Sequence, residues 1–167
     1  MNRRPTDEEV GLLFHHIGKG IWWLQYVEDA LNTLLTLRLD IKTPDRVSAE
    51  EAESALAKRR EGTLGGSLRT ARENNLVPTL LLEHLTAFTE ERNWLVHRSI
   101  DSHGQVLYTE AGRTETFERL EAFLSSAKIL QLEIGAEIQR YSESHGIGFA
   151  KAEEDALKQI AGLRGAA

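Results

Sequence analysis

The chain has 167 residues, no cysteine and a formal net charge of -6, with 41% hydrophobic and 28% charged residues. This composition predicts one globular domain over residues 1–167, and the lack of cysteine excludes disulfides and thiolate metal sites. The acidic balance argues against a protein that coats nucleic acid through a basic surface. With no signal peptide and no apolar run that could span a membrane, we expect a soluble, cytoplasmic protein.

The first predicted element is a long amphipathic helix from Thr6 or Asp7 to about Arg38. Thr6 and Glu9 match the capping-box pattern of a helix start. Apolar residues recur at helical spacing and form a seam that Glu28 interrupts: Val10, Phe14, Ile17, Ile21, Leu24, Leu31 and Leu35. Three aromatic residues widen this apolar surface: Trp22, Trp23 and Tyr26. The width favours burial on two sides, by the rest of the protein and by a partner.

Two shorter helices are predicted next. A capping box at Ser48 and Glu51 begins a polar helix that continues to about Glu61. Glycines in the segment 62–66 then break the helical pattern, and a short helix follows to residues 74–75. The glycine segment lacks the Gly-Lys-Ser/Thr of a P-loop, so we interpret it as a site of close packing and reorientation.

The second half of the chain contains the motif helix, which begins at Pro78–Thr79 and ends near Ser99 or Ile100. The remaining predicted elements follow in order: a loop over 101–112 with a candidate short strand at 105–108, a long helix over 114–144, a last helix over 150–161, and a disordered tail over 162–167. Together the elements predict an all-α fold, an up-and-down helical bundle with additional short helices.

Arg92 interrupts the apolar seam of the motif helix. The seam advances by alternating steps of four and three: Leu81, Leu85, Phe88, Arg92, Leu95 and Ser99. A cation there should be paired or functional, because burying an unpaired charge is costly. Asn93 follows at once and His97 comes five residues after Arg92. The Arg-x4-His spacing occurs three times in the chain, but only this pair has Asn directly after the Arg.

Two interpretations of Arg92 are open. At about 100° per residue, Asn93 and His97 lie nearly on one face of the helix, whereas Arg92 and His97 are about 140° apart. The long arginine side chain can close this gap, or two copies of the helix can face each other across an interface. In the structural interpretation, Arg92 instead forms an ion pair with a carboxylate such as Glu28.

Other chemistries find no support in the residue pattern. The chain has no Glu-x-x-His pair of the kind that di-iron bundles use, and His15 and His16 point about 100° apart on a helix. We therefore expect no metal and no cofactor, and we interpret His84 as a structural histidine. An RNA-cutting site could still use local basic residues, for which the candidates are Arg98, Arg69 and Arg72; a solvated helix face is the alternative explanation of these charges.

The segment Glu91–Arg98 resembles the signature of HEPN domains, which are helical proteins whose motif is Arg, four to six residues, and His, often with Asn after the Arg. The upstream segments 63–68 and 75–78 resemble a Thr-Leu-Gly helix and turn of some bacterial members. The resemblance covers residues 63–100 at the level of motifs, and the all-helical layout over most of the chain.

This resemblance implies a homodimer in which two motif helices meet at one composite site. Many members are metal-independent endoribonucleases of toxin–antitoxin, phage-defence or RNA-processing systems. By position, the catalytic candidates are Arg92, Asn93 and His97, and a cognate antitoxin is an expected partner. Many toxin members carry a modifiable Tyr two residues after the His, where this chain has Ser99. Some members are inactive, so a helical interaction module or a nucleotide- or RNA-binding module is the alternative.

Overall fold

Helices form nearly all of the computed structural model, which describes residues 2–41, 47–99 and 106–146. Those residues contain no strand, so the all-α prediction is confirmed. Their helices are α1 (Asp7–Leu39), α2 (Ala49–Arg60), α3 (Leu64–Glu73), α4 (Thr79–Asn93) and α5 (Glu110–Ser144). A π-helical turn, Trp94–Arg98, continues α4, and Val106–Tyr108 form a 3-10 turn. None of the helices in the described ranges combines the length and apolar character that crossing a membrane requires.

The two longest helices, α1 and α5, run parallel. Near their starts, Nε of Arg113 lies 3.2 Å from Oε1 of Glu9. Near their ends, Nη2 of Arg38 donates to Oε2 of Glu137 at 2.7 Å. Glu137 is buried, and both its arginine partner on α1 and Arg140 one turn further along α5 contact its carboxylate. Paired in this way, the buried charge is tolerated and fixes the register of the two helices.

Helix α4 runs antiparallel to α5 and packs against it. Near the start of α4, His84 contacts Glu133 at 3.0 Å, and near its end Glu91 accepts two hydrogen bonds from Arg119, at 2.8 and 3.0 Å. Helices α1, α4 and α5 therefore form the core of a bundle, with α4 pointing opposite to the other two. This arrangement agrees with the predicted helical bundle.

The two short helices pack against the C-terminal half of α1. Arg60 at the end of α2 contacts Asp29 at 2.6 Å, and the Ser67 hydroxyl of α3 donates to Oδ1 of Asn32 at 2.7 Å. The outer side of the N-terminal half of α1 stays exposed, including Phe14.

Both predicted capping boxes are present. The Glu9 backbone N–H donates to the Thr6 hydroxyl at 3.2 Å, and the Glu9 carboxylate accepts from the Thr6 backbone at 2.8 Å. Ser48 and Glu51 make the same reciprocal pair, at 3.2 and 2.9 Å. These local bonds satisfy backbone donors that a helix start leaves free, which is why the starts of α1 and α2 could be predicted closely.

Three boundary predictions are wrong. Gly65 and Gly66 belong to the first turn of α3 rather than to a break, because the Thr63 hydroxyl accepts the Gly66 backbone N–H at 3.2 Å and caps the helix. Residues 106–108 form a 3-10 turn instead of a strand. Helix α5 begins at Glu110 rather than near residue 114, since the Thr109 hydroxyl accepts the Gly112 N–H at 3.0 Å.

A glycine explains how the 3-10 turn and α5 fit together. A Cβ atom added to Gly112 would lie 2.2 Å from the Val106 carbonyl oxygen, so no other residue fits there without a shift of the backbone. Residues 101–105 of the predicted loop, the predicted last helix at 150–161 and the predicted tail at 162–167 all lie outside the described residues.

A second glycine, on α1, lets two other chain segments pack closely against that helix in the core. Gly20 is buried on α1, and a Cβ atom added to it would lie 3.1 Å from Cδ2 of Leu95 and 3.5 Å from Cδ1 of Phe123. Phe88 stacks on Phe123 with the ring centroids 4.7 Å apart. The missing side chain thus lets the π turn, α4 and α5 pack together against α1.

We expect Gly20→Leu to lower the free energy of unfolding by about 1–3 kcal/mol, because the added side chain has no room in this packed core. Gly135→Leu is the matched control, since nothing lies within 4 Å of the equivalent Cβ on α5. Removal of that helical glycine should leave stability unchanged or raise it by up to about 1 kcal/mol. Urea denaturation measures both effects, and equal losses in the two variants would contradict the packing argument.

Candidate functional site

The motif helix changes its winding where the candidate residues lie. Helix α4 ends at Asn93, and the chain continues as the π turn before Ser99. A π turn closes hydrogen bonds from residue i to i+5, so each turn holds more residues than an α turn. Arg92 and His97 are five residues apart, and the wider turn reduces the angle of about 140° that separates them on an α-helix. Such turns are frequent at functional sites.

Packing holds one side of the π turn in place. Trp94 and Leu95 are buried. The Arg119 guanidinium lies 3.9 Å from the centroid of the Trp94 ring, and the same guanidinium is held by Glu91. The three following residues of the turn, in contrast, are exposed: Val96, His97 and Arg98. The turn therefore presents His97 to solvent from a firmly packed base.

Ser99 completes the turn and is half-buried. Its hydroxyl donates to the Leu95 carbonyl oxygen at 2.8 Å. Such a bond supplies a partner to a backbone acceptor near the change from π to α winding. The Ser99 hydroxyl is thus engaged with the backbone of the preceding turn.

Arg92 is a half-buried guanidinium with few partners. Its Nη1 donates to Oδ1 of the exposed Asn93 at 3.2 Å. Its Nη2 lies 3.9 Å from Oε1 of Glu28, which is within ion-pair range but too long for a hydrogen bond. Its Nε is buried and has no hydrogen-bond partner in the described part of the chain. The guanidinium therefore retains donor capacity for an anionic ligand.

Glu28 is the carboxylate that faces Arg92, and its side chain is 29% exposed. Burial raises the pKa of Glu28 above its ordinary value, although the charge of Arg92 and a hydrogen bond with the backbone of Leu64 act in the opposite direction. The net rise means that the long ion pair does not fully compensate the desolvation of the carboxylate. The ion pair of the structural interpretation is present, but it leaves most donors of Arg92 unused.

The raised pKa of Glu28 predicts a pH-dependent stability. The contribution of a carboxyl group whose pKa is higher in the folded state is full below its ordinary pKa of 4.5 and is lost as the pH rises through the folded value. Glu28→Gln cannot ionise and keeps a hydrogen-bonding side chain. Relative to the parent protein, this variant should therefore gain stability between about pH 4.5 and pH 7. Urea denaturation across this range tests the prediction, and parallel pH profiles would contradict it.

The structure joins two of the three catalytic candidates directly. Asn93 accepts the hydrogen bond from Arg92, whereas the exposed His97 ring makes no hydrogen bond or ion pair within the described residues. The composite arrangement that the sequence suggested is thus incomplete in one chain. His97 is close to Arg92 along the helix and has an unoccupied ring.

The three candidate RNA-contacting arginines are placed differently from one another. Arg98 is exposed on the same π turn as His97. Arg69 is exposed on α3, and Arg72 donates to the Thr86 hydroxyl on α4 at 3.1 Å. No hydrogen bond or ion pair of the described residues connects Arg69 or Arg72 to the candidate catalytic residues. Only Arg98 therefore lies within the candidate site itself.

The sequence did not indicate the residues that hold the π turn. Arg119 lies 28 positions after Glu91, on another helix, and a solvated charge on α5 would have the same appearance in the sequence. The motif nonetheless contained a hint, because Trp94 is a large ring next to the seam position Leu95. A wider turn lets both side chains be buried.

No three His, Asp or Glu side chains of the described residues are grouped so that they could hold a metal ion. Comparison with protein-family models, with curated proteins and with solved structures finds no match to this chain.

Proposed function

We propose that this protein is a metal-independent endoribonuclease of the HEPN type, acting in a toxin–antitoxin or phage-defence system. Its site consists of Arg92, Asn93 and His97 and is completed across a homodimer. The observation that carries the proposal is the half-buried Arg92 guanidinium, which has one hydrogen bond and a buried, unbonded Nε, together with the exposed imidazole of His97 five residues further along the helix. A phosphodiester supplies the anionic oxygens that such a guanidinium lacks.

In the proposed reaction, the RNA 2′-OH attacks the adjacent phosphorus atom and the bond from phosphorus to the 5′ oxygen breaks. The products are a 2′,3′-cyclic phosphate and a free 5′-OH. One imidazole removes the proton from the 2′-OH, and a second imidazole donates a proton to the leaving 5′ oxygen. Two copies of His97 in a dimer supply both groups, and imidazole exchanges protons readily near neutral pH.

Arg92 and Asn93 have separate parts in this scheme. The Arg92 guanidinium binds the non-bridging oxygens and stabilises the charge that develops on them in the transition state. Asn93 already accepts a hydrogen bond from Arg92, so it orients the guanidinium, and its amide N–H groups remain available to a phosphate or to His97. Arg98 on the same turn contacts the neighbouring backbone phosphate of the RNA.

An exposed apolar surface beside the site supports the homodimer. Leu95 packs on Gly20, and the next residues along the two helices, Val96 and Ile21, are both exposed. Phe14 lies two turns before Ile21 on the same face of α1 and is 67% exposed. We name Phe14, Ile21 and Val96 the motif-side surface. Its association with a second copy would bury apolar area and bring two π turns together.

The alternative function is a catalytically inactive helical module that interacts with a partner or binds nucleotide or RNA. The absence of a contact between His97 and Arg92 within one chain favours this alternative. An antitoxin remains an expected partner in the main proposal. The contact of Ser99 with Leu95, together with the missing Tyr, argues against control by modification at that position.

Arg92→Ala is the sharpest test of the proposed catalysis. Cleavage of single-stranded RNA, assayed with excess EDTA, should fall by a factor on the order of 10² or more because an anion-stabilising donor is lost. Stability should change by about 1 kcal/mol or less, since the pair with Glu28 is long and partly solvated. Arg92→Lys should not restore full activity, because an ammonium lacks the planar fork.

Arg4→Ala, which changes an exposed arginine before α1, is the control and should cleave normally. His97→Ala should abolish cleavage without a change in the melting temperature, because the ring is exposed and unbonded. Retained cleavage in both Arg92→Ala and His97→Ala would contradict the catalytic proposal. An activity that depends on added divalent ions would refute the metal-independent scheme.

The dimer makes a separate prediction. Phe14→Glu should convert the dimer to a monomer in light scattering at micromolar concentration and abolish cleavage, because a charge replaces an apolar contact in the motif-side surface. Leu132→Glu is the matched control, since Leu132 is an exposed apolar residue on α5. A parent protein that is monomeric but still cleaves RNA would exclude the composite site.

A further inference from the structure

A small surface pocket lies on α1 where the end of α2 meets it. Its volume is about 350 Å³, and its lining residues are Trp22, Gln25, Tyr26, Asp29 and Arg60. Trp22 and Tyr26 are exposed over 61% and 45% of their surface, which is unusual for such large rings on a bundle helix. The catalytic scheme uses none of these residues.

The two rings of the pocket contact each other, and one of them also contacts a third aromatic ring of α1. Tyr26 contacts Trp22 edge-on, with the ring centroids 6.0 Å apart, and contacts Trp23 at 5.6 Å. Trp23 is half-buried, packs against the hydrophobic core and also lies under the Lys128 ammonium, 5.6 Å from the ring centroid. Trp22 has no other aromatic neighbour in the described part of the chain. Trp22 is therefore largely exposed and available for stacking.

The polar residues of the pocket complement the edge of a nucleobase. Asp29 and Arg60 form an ion pair at 2.6 Å, and the Gln25 amide lies beside them. Together they offer both donors and acceptors next to the aromatic rings. An apolar protein surface docked here would desolvate this ion pair and leave the amide without a partner, which is costly. A nucleobase is flat and has polar atoms along its edge, so it would instead form hydrogen bonds with these residues.

We infer that this pocket binds an unpaired base of single-stranded RNA, stacked on Trp22 and flanked by Gln25, Asp29 and Arg60. Bases in a duplex are already stacked and cannot enter such a pocket, so the site selects single-stranded RNA. The inference deepens the proposed function, because it names the substrate class of the same protein and rests on RNA being that substrate.

Two adjacent residues of α1 connect the pocket to the candidate catalytic site on α4 and the π turn. Glu28 faces Arg92 at 3.9 Å, and the next residue, Asp29, faces Arg60 at 2.6 Å. Neighbouring Cα atoms are about 3.8 Å apart, so two adjacent carboxylates connect the phosphate-binding arginine to the base pocket. One short RNA strand can therefore place a phosphate at Arg92 and a nearby base on Trp22.

The pocket also differs from the motif-side surface. Trp22 follows Ile21 directly and so points about 100° away from it on α1. A second copy bound at the motif-side surface would leave the pocket facing solvent. The two surfaces can thus serve a dimer and an RNA strand at the same time.

The test measures binding of fluorescein-labelled oligouridylate by anisotropy, using His97→Ala protein so that the RNA stays intact. In this background, Trp22→Ala should weaken binding by roughly 5- to 150-fold, the range expected for the loss of one base–aromatic stack. Trp22→Phe should restore most of the affinity, because a ring remains. Leu132→Ala, on an exposed part of α5, is the control and should bind normally. The same oligouridylate annealed to oligoadenylate should bind weakly, and with equal affinity to all variants.

The outcomes separate this inference from the proposed ribonuclease. Unchanged oligouridylate binding in Trp22→Ala overturns the base pocket, even if the parent protein cleaves RNA. A strong effect of Trp22→Ala on binding, without any cleavage by the parent protein, keeps the pocket and overturns the ribonuclease. A dimer that dissociates in Trp22→Ala would assign the pocket to a second copy of the chain and also overturn the inference.

Discussion

The close approach of three chain segments at Gly20 is the constraint on which the rest of the molecule depends. Because Gly20 has no side chain, Leu95 of the π turn and Phe123 of α5 both reach α1 at the same level. Phe88 then stacks on Phe123 and holds α4 in place. These contacts hold the buried side of the π turn in place, and His97 lies on its exposed side. The position of the candidate site thus follows from one packing event in the core.

The pair formed by Arg92 and Glu28 is structural, and in the proposed function the same arginine also binds a phosphate. Two charges interrupt the seams of α1 and α4 and meet where those helices pack, so neither is buried alone. Their separation of 3.9 Å is too long for a tight ion pair, and burial still raises the pKa of Glu28. An arginine held by a weak partner stays oriented and retains donors for a phosphate, which a tight bidentate pair would consume.

Exposed apolar residues on α1 divide into two surfaces with different chemistry. Phe14 and Ile21 belong to the proposed motif-side surface, while Trp22 lies about 100° around the helix from Ile21, beside Tyr26 and an ion pair. An apolar stripe is best covered by another apolar surface, whereas rings with polar neighbours fit a flat ligand that also forms hydrogen bonds. Under the proposed function, one helix would take part both in assembly and in RNA binding.

The sequence by itself determined the helices, because helix starts depend on residues within one turn, as Thr6 with Glu9 demonstrates. It also identified Arg92 as a charge in an apolar seam, since periodicity is visible along the chain. The start of α5 is also set locally, by the Thr109 cap that the apolar spacing did not reveal. Only the tertiary structure decided the π turn, which depends on contacts such as that of Leu95 with Gly20. The spacing of apolar residues shows which face of a helix is apolar. It does not show where packing against a neighbouring helix changes the winding of that helix.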